Sequence, residues 1–522
     1  MHVDTRELPD DQQIQVDVCI VGAGAAGITL ALELAGTHHS VALLESGGFE
    51  TDASTQELYA GGNVGHPYYA LIATRLRFFG GSTNHWAGWC RPLDTEDFEK
   101  RSWVPNSGWP IKRAELDPYY ERAHSLCNLG PFRYDATSWS AAQGGDRTPL
   151  PPDTAKTEIF QFSPPTRFGS VYRDDIGKAS NITTYLWANL LEFESDPETG
   201  RIRRARAGTL SGKRFDIVAK QYVLAAGGLE NARLLLASRS ASASGVGNQH
   251  DVVGRYFMDH PHLKHGTFLP SDPKLDLSFY KSHTVADTKI RGILVLDQKI
   301  RAQHQILGFS TTFGDSWIPT LSKGPPSFRL LYREIKQGQL PDDFGSHLWN
   351  VISEIDDVAA DSYRRYRKTP MKEATYVLDT RAEQVPNPSS RVTLSDETDA
   401  LGIPRIDLDW QLTEQDEHTL RAGQKLIADQ MAKAGLGRTQ LPDEDDSEWM
   451  EYVVGGSHHM GTTRMSEAPR NGVVDRHCQV HGVGNLYIAG SSVFATCGYP
   501  NPTLTIVALA ARMGDRLKEV LS

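Results

Sequence analysis

The sequence predicts an α/β domain built on a parallel sheet with a small β-meander, joined to an α+β domain built on an antiparallel sheet. Three observations carry this. Residues 17–48, DVCIVGAGAAGITLALELAGTHHSVALLESGG, run from a β-branched apolar segment through a glycine turn into an apolar helix and a second strand. Two later apolar runs, 221–224 and 485–489, also end in glycine-bearing turns that lead into helical sequence. Between them, residues 262–454 show alternating runs such as 292–296 and 391–394 and then a long helical pattern at 413–435. Strands followed by a helix predict an antiparallel sheet with helices on one face. A chain of 522 residues exceeds one ordinary hydrophobic core, so two domains are expected. Their predicted limits are 12–255 with 455–522 for the first and 256–454 for the second. Within the first, 76–184 is read as a covering segment and surface loops.

The first unit specifies chemistry. In Gly22-Ala23-Gly24-Ala25-Ala26-Gly27, Gly22 permits the tight turn and Gly24 lets a pyrophosphate approach the backbone. Gly27 allows close packing of helix on strand, and the helix N-terminus at Ala25 faces the phosphates. Glu45, followed by Ser46, ends the second strand where a carboxylate accepts ribose hydroxyls. The unit reads as a dinucleotide site, with FAD and NAD both open at this point.

Further along, Gly80-Gly81-Ser82-Thr83-Asn84-His85-Trp86-Ala87-Gly88 places paired glycines and a His among large aromatics. A planar group such as a flavin ring against the backbone accounts for it, and so does a tight turn covered by Trp86 and Trp89. Asp117-Pro118 is read as a helix start, and 128–180 as loops rich in Pro, Gly and Ser. Residues 181–218 read as the meander, and 221–224 then lead to Ala226-Gly227-Gly228 at the far side of the dinucleotide site. At the end of the chain, Gly490-Ser491 and the helix beginning at Thr503 offer donors to phosphate or ring oxygens.

Composition bounds the rest. A net charge of −11 argues against nucleic-acid binding, which needs a basic surface. Five scattered cysteines give neither a disulfide framework nor a zinc spacing, and Cys19 is expected in the core. No metal site is expected. The start of the chain shows no secretion signal and no apolar run of about 18 residues occurs, so a cytoplasmic protein without membrane association is expected.

Ser457-His458-His459-Met460-Gly461-Thr462 and Gly498-Tyr499-Pro500-Asn501-Pro502-Thr503 hold the reactive side chains. An imidazole takes a hydroxyl proton near neutrality, and an amide holds the same oxygen. Together with Gly22–Glu45, Gly80–Trp86 and Val253–Pro261, these segments make the chain resemble the glucose–methanol–choline (GMC) FAD-dependent oxidoreductases. The family's His-x-x-Gly-Thr pattern falls on His458, and its second catalytic position, His or Asn before Pro, falls on Asn501-Pro502.

The resemblance implies FAD as cofactor, a PHBH-like substrate domain, and oxidation of a CH–OH group to a carbonyl. It implies hydride transfer to flavin N5 with His458 as base. His85 matches the position that bears a flavin-linked His in pyranose oxidase-like and choline oxidase-like members, although Asn84 departs from that pattern. Residues 383–392 and the Asn84–Trp89 stretch are similar to the sugar- and glycoside-oxidising, pyranose oxidase-like branch. A sugar, glycoside or related polyol substrate is therefore expected, with oxygen or a quinone-type compound as electron acceptor. Two alternatives stand beside it: a non-carbohydrate alcohol as substrate, or a lyase that keeps FAD only structurally.

Overall fold

The computed structural model describes residues 1–141, 150, 154–164, 166–315, 324–336, 341, 344–353, 355, 358–359, 362, 375–442 and 448–522. Strand Gln12–Val21 lies at the centre of an eight-stranded sheet. Val41–Glu45 and Arg214–Leu224 flank it in parallel. Ile182–Leu186 and His2–Asp4 extend one side, and Leu486–Ile488 pairs in parallel with Arg214–Leu224. Val18, Cys19, Ile20, Leu43, Val223 and Leu224 are fully buried, as a parallel sheet covered on both faces requires.

The register aligns Val21 with Leu44 and Leu224, and Leu224 with Ile488. The turns at Gly22, Gly227 and Gly490 and the carboxylate of Glu45 therefore converge beyond the carboxyl ends of the strands, where α/β sheets bind ligands. Helix Ala25–Leu34 follows directly from the first turn.

The meander is Asn189–Asp196, Arg201–Gly208 and Arg214–Leu224, paired antiparallel in sequence order. The two runs read separately as 215–218 and 221–224 are one 11-residue strand, whose first half closes the meander while its length pairs with Gln12–Val21. Residues 183–186, read as part of the meander, pair instead with Val41–Glu45 in the parallel sheet.

A second, nine-stranded sheet is antiparallel throughout. It contains His262–Pro270, Thr288–Leu296, Phe309–Asp315 and Tyr376–Ala382. It also takes Trp89–Cys90 and Ala155–Phe162 from the segment expected to form loops. Ala155–Phe162 is a strand because Ile159 and Phe160 are buried and the run pairs with Thr288–Leu296 over seven residues. Helix Glu414–Lys433 starts at Thr413 with a reciprocal Asp416 cap and covers the sheet through Leu420, Ile427 and Met431. Gly423 is required there, since a Cβ would stand 2.4 Å from the Phe309 ring.

One predicted helix start moves. Helix Arg113–Leu126 begins a turn before Asp117-Pro118, because Glu115 accepts from the Lys112 backbone N–H at 2.9 Å and caps it there. Among the described residues no helix is long and apolar enough to cross a membrane, and all five cysteines are free and buried.

Candidate active site

A cavity of about 500 Å³ lies between the carboxyl ends of the parallel strands and the antiparallel sheet. Its floor comes from Gly22, Gly24, Ala25, Glu45, Ser46, Ala226 and Gly227. One wall is Gly81, Ser82, His85, Trp86, Ala87 and Gly88; the other is His458, Gly490, Ser491, Asn501, Pro502 and Thr503, with His262 and Arg381 reaching in from the second sheet. Helix Thr503–Leu521 points its N-terminus at this space. The chain thus brings the Gly22–Glu45, Gly80–Trp86, Ser457–His459 and Asn501–Thr503 segments to one cavity.

Three expected cofactor contacts do not line the cavity. Gly27 lies against the Gly22 carbonyl, which a Cβ would meet at 1.8 Å, so its task is helix-on-strand packing. Gly80, with φ +99°, is locked behind the wall by its N–H to the Ala23 carbonyl and by contact with Gly169. Asn84 turns its amide back to the Phe79 carbonyl at 3.0 Å and shapes the loop from behind. Arg167 holds the loop's other side by donating to the Thr83 and Trp86 carbonyls.

The floor fits a dinucleotide. A Cβ at Gly24, Gly227 or Gly490 would meet nothing within 4 Å, so each leaves backbone open to the cavity. Glu45 accepts from the Ala23 N–H, the Gly47 N–H and the Ser46 hydroxyl at 3.0, 3.0 and 3.2 Å. It pins the glycine turn and retains lone pairs for ribose hydroxyls. Burial pushes its pKa up, against those donors.

The reactive corner is a relay of side chains. Gly498 offers a carbonyl 2.9 Å from His260 Nε2, so neutral His260 carries its proton there. His260 Nδ1 is then an acceptor, and His458 Nδ1, 2.8 Å away, must donate to it. That leaves the lone pair of His458 on Nε2, where Asn501 Nδ2 donates at 3.0 Å. These tautomers follow from the fixed acceptor at Gly498. Asp259 organises the loop beneath: its carboxylate accepts from the His260, Gly456 and His458 backbone N–H groups and from the Tyr68 hydroxyl. His459 instead packs its ring against Phe257 and Tyr68.

Burial, with His260, His262, Arg381 and His459 around it, holds the His458 pKa well below the ordinary imidazole value. Burial takes His260 down to about 4. A base with a lowered pKa stays unprotonated as pH falls until its own pKa is reached. Flavin reduction should therefore stay level as pH falls through about 6.5, the ordinary histidine value. A loss centred at or above that value would contradict this.

Asp259, His260, His262 and Arg381 were not assigned from sequence. Asp259-His260 sits inside the Val253–Pro261 segment, which is the one signal available. Among the described residues no cluster of three His, Cys, Asp or Glu is placed to hold a metal ion.

Comparison with known proteins settles the cofactor class. Residues 17–255 match the FAD-dependent oxidoreductase domain, and residues 386–510 match the GMC oxidoreductase domain. The chain is a GMC-type FAD-dependent oxidoreductase. This GMC enzyme is 24% identical to the fructose dehydrogenase large subunit of Gluconobacter japonicus, over 97% of its own length and 98% of the relative's. It is 24% identical to paromamine 6'-oxidase of Streptomyces fradiae, over 98% and 92%. Its fold matches the crystal structure of a formate oxidase with a TM-score of 0.60, at 17% identity, over 99% and 100% of the two chains. FAD is its cofactor.

Proposed function

We propose that this enzyme oxidises a CH–OH group of a sugar, glycoside or related polyol to a carbonyl, with His458 Nε2 as the base. The observation that carries the reading is the chain from the Gly498 carbonyl through His260 and His458 to Asn501, which leaves a lone pair at the cavity. Bound FAD supplies the hydride acceptor. A substrate hydroxyl entering between His458 and Asn501 would give its proton to Nε2 and accept a hydrogen bond from the Asn501 amide. As negative charge grows on that oxygen, the amide stabilises it more than it stabilises the ground state. The sugar and glycoside assignment rests on the fructose and paromamine relatives. Anaerobic mixing with a panel of sugars, glycosides and polyols should bleach the flavin absorbance; no bleaching by any of them would overturn the proposal. Reoxidation rates with dissolved oxygen and with a quinone dye then identify the acceptor.

Within this reading, His260 is a positioning residue. H260A removes the acceptor that fixes the His458 proton on Nδ1 and should slow flavin reduction. H260N, whose amide oxygen can take the place of Nδ1, should recover much of the rate. Equal rates for the two variants at equal FAD content would exclude this role.

FAD is expected to be held without a bond to His85. The His85 ring lines the cavity, and the neighbouring Asn84, in place of a small hydroxyl residue, is turned back into its own loop. Acid precipitation should release the yellow colour into the supernatant; flavin retained in the pellet and freed only as a peptide would reverse this.

A further inference from the structure

The described arginines divide sharply by partner. Arg75, Arg77, Arg91, Arg101, Arg233 and Arg301 are buried, and each is held by a carboxylate. Buried Arg464 has none but donates to the Asn106 and Ala495 carbonyls. Arg381 has neither arrangement. Its guanidinium lies over the Trp89 ring at 4.1 Å, and its single hydrogen bond among the described residues is a long one, Nη1 to Asn501 Oδ1 at 3.4 Å. Its same-strand neighbour Asp379 acts on it through space without forming an ion pair with it, and reaches Lys264 at 3.9 Å. Arg381 lines the catalytic cavity.

A second observation points the same way. His262 lines this cavity next to His458, ring centroids 6.1 Å apart, and its Nε2 is buried without a hydrogen-bond partner. A guanidinium with spare donors, beside a neutral imidazole that presents an N–H when its proton sits on Nε2, forms a receptor for an anion. A cationic group would be repelled from the same place.

We infer that Arg381, assisted by His262, is the anion subsite of this cavity, and that the substrate is a carboxylate-bearing polyol such as a sugar acid or hydroxy acid. The inference rests on the CH–OH reading above and narrows its substrate class. Arg381 touches Asn501, and Asn501 touches His458, so a carboxylate on the guanidinium places a nearby carbinol at the base. The carboxylate is not consumed. The CH–OH carbon loses a hydride to FAD and its oxygen loses a proton to His458, giving a keto or aldehydo acid and reduced flavin. Bound carboxylate also cancels the Arg381 charge that lowers the basicity of His458, so substrate binding would strengthen its own base.

The test has two arms on the purified FAD-loaded protein. Acetate, which cannot be oxidised at a carbinol, should perturb the oxidised flavin spectrum in a saturable way. R381Q should weaken that binding roughly 10- to 100-fold, the scale of a charge-assisted hydrogen bond, and R381K should fall between. In the second arm, anaerobic reduction is compared for galactose against galacturonate and for propane-1,2-diol against lactate. Wild type should favour the acid of each pair, and the acid-to-neutral ratio should fall in R381Q. Equal acetate affinity in wild type and R381Q, or an unchanged ratio, overturns the inference; R381K carries the comparison if R381Q loses its flavin. Reduction by none of the four, nor by any member of the wider panel above, overturns the CH–OH reading instead, while the acetate arm still decides whether Arg381 binds anions.

Discussion

Replacing His458 with Ala is expected to slow flavin reduction by roughly 10²–10⁴-fold, the usual worth of a general base. FAD content should stay near that of the wild type, because the His458 ring is held by His260 and Asn501 and the floor by Glu45 and its own glycine turns. The size of the effect follows from the tautomer. His260 takes the Nδ1 proton, so Nε2 is the basic atom, and it faces Asn501 at 3.0 Å. Replacing the adjacent His459 tests the register of the pair. Its ring packs against Phe257 and Tyr68, so H459A should lower thermal stability and spare the reduction rate. The reverse outcome, reduction lost in H459A and kept in H458A, would transfer the base to the neighbouring residue.

Replacing Asn501 with Asp should be worse than replacing it with Ala. Loss of a donor to a developing oxyanion costs about 10²–10³ in rate, and Ala removes only that donor. Asp adds an acceptor and a negative charge where the substrate oxygen becomes negative. It would also pair with Arg381, whose Nη1 already stands 3.4 Å from Asn501 Oδ1, and so occupy the guanidinium. Pro500 and Pro502 on either side restrict the backbone, so neither variant has freedom to swing away. Single-turnover reduction of the two variants ranks them directly, and equal rates for Asp and Asn would remove the residue from the chemistry.

The glycine-lined floor of the cavity was legible because its determinants are local. Strand, glycine turn, helix and acid follow one another within 17–48, and the structure brings them together through neighbouring strands. The His458–Asn501 corner was legible as a motif. The residues that tune it were not, because they come from far along the chain. His260 meets His458 across 198 positions, and Arg381 meets Asn501 across 120. No spacing rule spans such distances, and an arginine on an alternating strand reads as an ordinary surface charge until its ion partners are counted. Asn84 failed for a different reason. Inside a glycine-rich turn the backbone direction changes at each residue, so cavity-facing His85 and rear-facing Asn84 look alike in sequence. Ala155–Phe162 was missed because the Pro-, Gly- and Ser-rich sequence around it hid a strand whose partner lies more than 120 positions away.

The central claim, hydride loss from a CH–OH carbon beside His458, is tested most directly by the substrate isotope effect on anaerobic flavin reduction. A reducing substrate deuterated at the carbon to be oxidised should reduce the flavin clearly more slowly than its protiated form, with the binding step unchanged. Identical rates for the two, in a reaction where bleaching itself is being timed, would contradict it.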